Sequence, residues 1–284
     1  MQQFCASVVI PAFNEGARLP PFLAELARLG LEREATPVEF VVVDDGSSPP
    51  HRARHRESVA AAAAALARAG SAHAVRLWEA EENGGKGQAI RLGLAQADPG
   101  SRWLGFLDAD GAVPAREFWR LVGLLGDDAD VLAGARILMA GRTIRRSTFR
   151  HLQGRVFATL TEHTLGLGFY DTQCGVKLFR AALLRPCLGL LRERGWLLDL
   201  EVLFALKAVG ARMREEPIDW SDPGGSKVRF FLDPLRMLLG LRRLRAGRDR
   251  FNPALAPRSP APDDLGPPSA GSGPSGRAAG ALLR

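Results

Sequence analysis

Residues 102–111 read RWLGFLDADG, and the reading of this stretch decides the fold. A short apolar run ends abruptly in Asp108-Ala109-Asp110-Gly111. A continuous run of this length, closed by turn residues, reads as a strand buried on both faces. Three upstream segments follow the same plan. Residues 4–11 (FCASVVIP) run into Asn14-Glu15-Gly16, and residues 38–43 (VEFVVV) into Asp44-Asp45-Gly46-Ser47. Residues 73–78 (HAVRLW) precede Asn83-Gly84-Gly85. Between them the spacing predicts helices at 19–29, stopping at Gly30, at 52–69 and at 86–97. Strands alternating with helices imply right-handed βαβ units, an α/β class and a Rossmann-like, mostly parallel central sheet flanked by helices.

Beyond 114 the pattern loosens. Helices are expected at 114–125, 147–165, 180–190 and 199–209, with strands near 130–135 and 212–220. From 230 to 245, Phe231, Leu232, Leu235, Leu238, Leu239 and Leu241 lie largely on one helical side, with Arg242, Arg243 and Arg245 close by. This predicts an amphipathic helix. From about 252 the chain is mainly Pro, Gly, Ser and Ala, a composition expected to stay disordered because it cannot bury enough apolar surface.

With 284 residues, 46% of them hydrophobic, the chain can bury a sizeable core. The net charge of +7 is concentrated: residues 227–250 hold eight Lys/Arg against two Asp, a local surplus of six. A docking surface for an anionic partner fits this better than a generally basic protein does. Nucleic acid is not expected, because no zinc spacing or RNA-recognition motif is present. Cys5, Cys174 and Cys187 are odd in number without CxxC spacing and read as free thiols in a reducing compartment. No signal peptide or membrane-length apolar run is read, so the expectation is a cytoplasmic protein, and the 230–250 stretch reads either as a helix packed on the core or as a peripheral contact on the membrane face.

In an open parallel sheet, ligands bind beyond the carboxyl ends of the strands. Asn14-Glu15, Asp44-Asp45 and Asp108-Ala109-Asp110 all fall at such ends and converge on one crevice, which the glycine-rich turn at 83–87 also faces. Glycine-rich turns and helix N-termini suit phosphate. Asp108 and Asp110, two apart in extended chain, share a side and repel unless a cation joins them. Hard oxygens beside a diphosphate suit Mg²⁺ or Mn²⁺. Asp44-Asp45-Gly46-Ser47 also reads as a strand-to-helix turn with a capping Ser, and chemistry alone does not rank its two acids.

The strings SVVIPAFNE (7–15), VVVDDGS (41–47), NGGKGQAIRLGL (83–94) and DADG (108–111), in this order, resemble the family 2 glycosyltransferases. DTQCGVKLF (171–179), GWLLDLEVLF (195–204) and WSDPGGSKVR (220–229) narrow the resemblance to the dolichyl-phosphate β-glucosyltransferase branch. It spans about residues 4–245. It implies a GT-A fold, a UDP- or GDP-hexose donor, a divalent metal and inversion at the anomeric carbon. It also implies one domain over 1–250, with a nucleotide-sugar half at 1–113 and an acceptor half at 114–225. A basic amphipathic segment at 226–250 and a disordered tail at 251–284 follow.

By position, Pro11, Phe13 and Glu15 match residues that hold the nucleoside. Asp45 matches the base- or ribose-contacting acid, with Asp44 beside it. Lys86 lies near the donor. Asp108, Ala109 and Asp110 match the nucleotide and metal segment. Gln173 and Lys177 match the sugar and phosphate side, and Ser226, Lys227 and Arg229 the basic segment over the diphosphate.

The acceptor is expected to be a polyprenyl-type lipid phosphate, with a glycan or small-molecule hydroxyl as the alternative. Gly111-Ala112 after the acidic pair favours glucose over mannose as the sugar. A hydroxyl acceptor needs a base, for which Asp199 is the candidate and Glu201 the second; helix capping is the other reading of Asp199. Arg142, Arg145, Arg146, Arg150 and Arg155 read either as a solvated face or as an acceptor loop pairing with phosphate. A non-catalytic sugar-nucleotide-binding protein is the reading from another class.

Overall fold

The computed structural model describes residues 4–145, 148–221 and 234–251, and side chains within these except at 145, 148–153 and 234–237. The first half follows the sequence closely. Strand β1 (Ala6–Ala12) leads to helix α1 (Leu19–Gly30), β2 (Val38–Asp45), α2 (Pro49–Arg68), β3 (Ala74–Ala80), α3 (Lys86–Gln96) and β4 (Trp103–Leu107). Prolines in the first turns of α1 and α2 supply the fixed φ of a helix start without losing a needed N–H. Every residue of β2 and β4 is buried, which is why both read as largely apolar runs, broken in β2 by Glu39 and the closing Asp44-Asp45.

The second half continues with α4 (Ala115–Val122), β5 (Val131–Ala135), β6 (Ile144–Arg145), α5 (Thr148–Leu165) and β7 (Val176–Arg180). Then come α6 (Ala181–Leu188), α7 (Leu198–Ala208), β8 (Met213–Pro217), β9 (Trp220–Ser221) and α8 (Pro234–Ala246), closed by a 3-10 turn at Arg248–Phe251. One seven-stranded sheet runs through both halves in the order β3-β2-β1-β4-β7-β5-β8, and β6 pairs with β9 apart from it. Within that sheet β7 alone runs antiparallel to its neighbours β4 and β5. It was not expected as a strand. Its sequence, VKLFR, carries a lysine where an apolar run would signal burial, yet Lys177 is fully buried.

Helices cover both faces. One core gathers Ile10, Phe40, Trp103 and Trp119 with α1 and α4; the other joins Val9, Phe106 and Phe179 to α3, α6 and α7. The expected helix near 230–245 begins at Pro234, and its Leu241 and Leu244 are buried in the second core while Leu239 is half exposed. Among the described residues, no helix is long and apolar enough to cross a membrane. The expectations for Ser226, Lys227, Arg229 and the tail beyond 251 lie outside the described residues.

Candidate active site

The carboxyl ends of β1 and β2 are latched to each other. Asn14, at φ 55°, donates its N–H to Ser47 Oγ at 2.9 Å, and its Oδ1 accepts from the Ser48 N–H at 2.9 Å. Gly46, at φ 69°, has room for no side chain: a Cβ there would sit 2.4 Å from the Asn83 nitrogen. The turn after β2 is thereby pressed onto the glycine-rich turn that opens α3.

The two acids of the β2 turn have different tasks. Asp44 is fully buried; its oxygens accept from the Ser47 N–H at 2.8 Å and contact His55 Nδ1 at 2.5 Å. Burial pushes its carboxyl up, but the His55 and Ser47 contacts prevail and hold it below the ordinary value. Asp44 therefore shapes the turn and is not on the cleft wall, where it was expected beside Asp45. Asp45 faces the cleft and accepts the Gly84 and Gly85 N–H groups, each at 2.9 Å. Burial, helped by nearby Asp44, raises its carboxyl pKa against the pull of these amides.

β4 delivers the acidic pair. The Asp108 N–H donates to Gly175 O at 2.9 Å, and Lys86 Nζ lies 2.6 Å from Asp108 Oδ1. Asp110 Oδ1 accepts from the Ala112 N–H at 3.0 Å. Burial, then repulsion from Asp108, pushes the Asp110 carboxyl up. Burial works against the Lys86 ammonium, but Asp108, Asp199 and Asp110 outweigh it and keep the lysine charged. Arg18 grips Glu15 through two hydrogen bonds at 2.5 and 2.6 Å and reaches within 3.9 Å of Asp110 Oδ2.

Pro11, Phe13, Glu15, Asp45, Lys86, Asp108, Ala109 and Asp110 line one cleft of about 390 Å³, together with Arg18. Sequence reasoning missed Arg18. Its spacing of three from Glu15 on the entry to α1 was the available signal. Gln173 lies apart, in a shallow recess of about 30 Å³ with Arg136, Arg155 and Tyr170. Lys177 is off the cleft wall: its Nζ donates to Cys174 O at 2.6 Å and to Asp199 Oδ2 at 3.1 Å. Asp199 is the second residue of α7, in its first turn, and the cap is Leu197, so Asp199 is a buried counter-ion and not a cap. Glu201 is spent on the Arg192 and Glu193 N–H groups at 2.8–3.0 Å. In the second basic run, Arg142 pairs with Glu117 at 3.2 Å and Arg155 stacks on Tyr170 at 3.9 Å.

Among the described residues, no three His, Cys, Asp or Glu come together as a metal cage. Asp108 and Asp110 nevertheless fit a divalent cation. They are hard oxygen donors, and burial together with repulsion from Asp108 raises the Asp110 carboxyl, as a site short of counter-charge would. Two carboxylates leave most of an octahedral shell to water and phosphate oxygens, as suits a metal that arrives with a nucleotide diphosphate.

A glycine-rich turn, Asp45 and the Asp108–Asp110 pair gathered at the carboxyl edge of this sheet are the layout of a GT-A glycosyltransferase. The description "Glycosyl transferase family 2" matches residues 7–188, and the chain belongs to that family as a hexosyltransferase. The dolichyl-phosphate beta-glucosyltransferase of Drosophila melanogaster is 32% identical over 256 residues, covering 86% of this chain and 73% of the relative. The Homo sapiens enzyme of the same name is 32% identical, covering 81% and 72%. Among solved structures, Mycobacterium tuberculosis glucosyl-3-phosphoglycerate synthase, in complex with Mn²⁺, UDP and glucosyl-3-phosphoglycerate, superposes with a TM-score of 0.51 at 18% identity. That likeness covers 86% of this chain and 78% of the other, and it is one of fold.

Proposed function

We propose that this hexosyltransferase moves glucose from UDP-glucose to a polyprenyl phosphate of the dolichyl type, inverting the anomeric centre. The observation that carries the reading is the convergence of Asp45, Lys86, Asp108 and Asp110 on one cleft in a chain 32% identical to a dolichyl-phosphate beta-glucosyltransferase. A phosphate oxygen of the acceptor attacks the glucose anomeric carbon from the face opposite the diphosphate. The bond from that carbon to the diphosphate oxygen breaks, and UDP leaves with the electron pair.

Asp108 and Asp110 would hold Mg²⁺ or Mn²⁺, which when bound would supply positive charge against the leaving diphosphate. The protein's own groups orient the rest. Pro11, Phe13, Glu15 and Asp45 hold the nucleoside, and Lys86 steadies Asp108 and adds positive charge beside the diphosphate. Ser226, Lys227 and Arg229 are further groups assigned to the diphosphate, while Gln173, in its separate recess, is not given a part at the sugar. Charge fixed in advance where charge develops is the largest lever available to such a site.

A phosphate acceptor is anionic near neutral pH and needs no strong base. The engagement of Asp199 with Lys177 and of Glu201 with backbone amides fits that acceptor better than a hydroxyl. The arginine-rich 230–250 stretch supports peripheral contact with an anionic membrane surface, where a lipid acceptor resides. The test is a matrix of UDP- and GDP-sugars against dolichyl phosphate and hydroxyl acceptors in detergent. A glucolipid made only from UDP-glucose and the lipid phosphate is expected. Transfer confined to hydroxyl acceptors would refute the reading.

A further inference from the structure

The family match ends at residue 188, yet the chain beyond it is tied directly to the donor loop. The tie begins at the glycines. A Cβ on Gly85 would lie 2.7 Å from Arg194 O, and one on Gly87 would lie 2.5 Å from Gly195 O. The Gln88 N–H donates to Arg194 O at 2.9 Å. The segment 192–196 is thus a seat on which the turn at 84–88 rests, backbone against backbone.

That seat has no helix or strand to hold it, so its amides need another acceptor. Glu201, fully buried on α7, takes the Arg192 N–H at 3.0 Å and the Glu193 N–H at 2.8 Å. A carboxylate in that position demands a counter-charge, and Arg250 of the closing 3-10 turn donates to it. Arg250 in turn stacks over Phe251 at 4.6 Å, and Phe251 packs edge-on against Phe204 of α7. From α8, Arg243 donates to Glu193 Oε1 at 2.5 and 3.1 Å. Gly240 lets α8 close on the seat, since a Cβ there would sit 2.2 Å from Leu197 Cδ1.

We infer that α8 and the 3-10 turn are a brace for the donor loop: Arg243 and Arg250, acting through Glu193 and Glu201, hold the 192–196 seat against 84–88. They thereby set the distance of Lys86 from Asp108. Both arginines are positioning residues, remote from the reacting atoms. The consequence for donor binding rests on the proposed nucleotide-diphosphate role of the cleft. A buried ion pair is weak evidence of net stability, but its directionality fixes geometry. Small displacements of groups that position a substrate are costly in rate.

Hydrogen exchange read by mass spectrometry tests the brace without any ligand. In Arg250→Gln, amides of 84–90 exchange faster, by about tenfold, while those of β2 keep the wild-type rate. Arg250→Lys restores most of the protection. Arg243→Gln, removing a solvent-exposed partner, gives a smaller acceleration in the same peptides and keeps the fold if Arg250→Gln does not. An equal acceleration in β2, or none at 84–90, overturns the brace. A parallel titration with UDP separates the two claims. Weaker UDP binding in the variants, by roughly tenfold for Arg250→Gln, is expected from a displaced loop. Wild-type protein that binds neither UDP nor GDP would sink the donor reading, while the exchange result would still decide the brace.

Discussion

Lys177 and Asp199 show how a single residue changes meaning once its surroundings are known. Both are buried, 3.1 Å apart, and the Lys177 ammonium lies over the ring of Phe106. Removing one partner of such a pair leaves an uncompensated charge, at a cost of about 3–5 kcal/mol. Asp199→Asn should therefore lose stability of that order in urea unfolding, yet the folded fraction should keep its turnover with a phosphate acceptor. A fully stable Asp199→Asn protein without turnover would instead mark Asp199 as a base.

Arg136 and Asp171 give a second residue-level prediction. Although burial opposes ionisation, the Arg136 guanidinium and N–H hold the Asp171 carboxyl at about 2, against the ordinary 3.8 of an aspartate. The folded pKa lies below the unfolded one, so the stabilisation is whole above about pH 4 and disappears as the pH falls toward 2. The shift corresponds to about 2 kcal/mol. Acid titration of stability should show this loss in the wild type and not in Asp171→Asn; identical curves would contradict it.

The cleft itself was largely legible at this scale. Asp45, Asp108 and Asp110 follow apolar runs that could only be buried strands, so their arrival at one sheet edge follows from topology. What could not be read were the partners. Nothing in the string DD separates Asp44 from Asp45, because the choice is made by His55, eleven residues on, and by the Gly84 and Gly85 amides. Arg18 joined the cleft through a turn geometry that periodicity does not report.

Among the elements, β7 was the hardest to read, and its reason is chemical. A lysine in a five-residue segment breaks the apolar signal of burial, and Asp199, on a helix twenty-two residues later, supplies the counter-charge that makes its burial tolerable. β7 also carries the approach to the acidic pair. Gly175 lies so close that a Cβ would be 2.4 Å from Asp108 Oδ2. Gly175→Ala must displace that carboxylate, because the Asp108 N–H is already bound to Gly175 O. Turnover should drop by about a hundredfold while far-UV circular dichroism is retained. Unchanged turnover would mean that Asp108 tolerates displacement and is less central than proposed. The helix α8 illustrates the opposite case. Of the leucines read as one apolar side, Leu241 packs in the core beside Leu244, while Leu239 stays half exposed.

For the whole molecule, the distribution of charge matters more than its sum. Six of the seven net positive charges derive from residues 227–250. Charges near an anionic bilayer contribute about 1 kcal/mol each and are screened by salt. The protein should therefore sediment with phosphatidylserine-containing vesicles at low salt, release at high salt, and ignore neutral vesicles. Binding that is insensitive to salt would remove the electrostatic account of membrane contact.

The claim on which everything rests is that Asp108 and Asp110 hold a cation against a sugar-bearing diphosphate. Its most direct measurement is transfer of labelled glucose from UDP-glucose to dolichyl phosphate, with Mg²⁺ or Mn²⁺, by wild type and Asp110→Ala. The account predicts a glucosyl lipid from the wild type, its loss on chelation, and a fall of at least about a thousandfold in Asp110→Ala protein of normal fold. Metal-independent transfer, or near-wild-type turnover by Asp110→Ala, would contradict it.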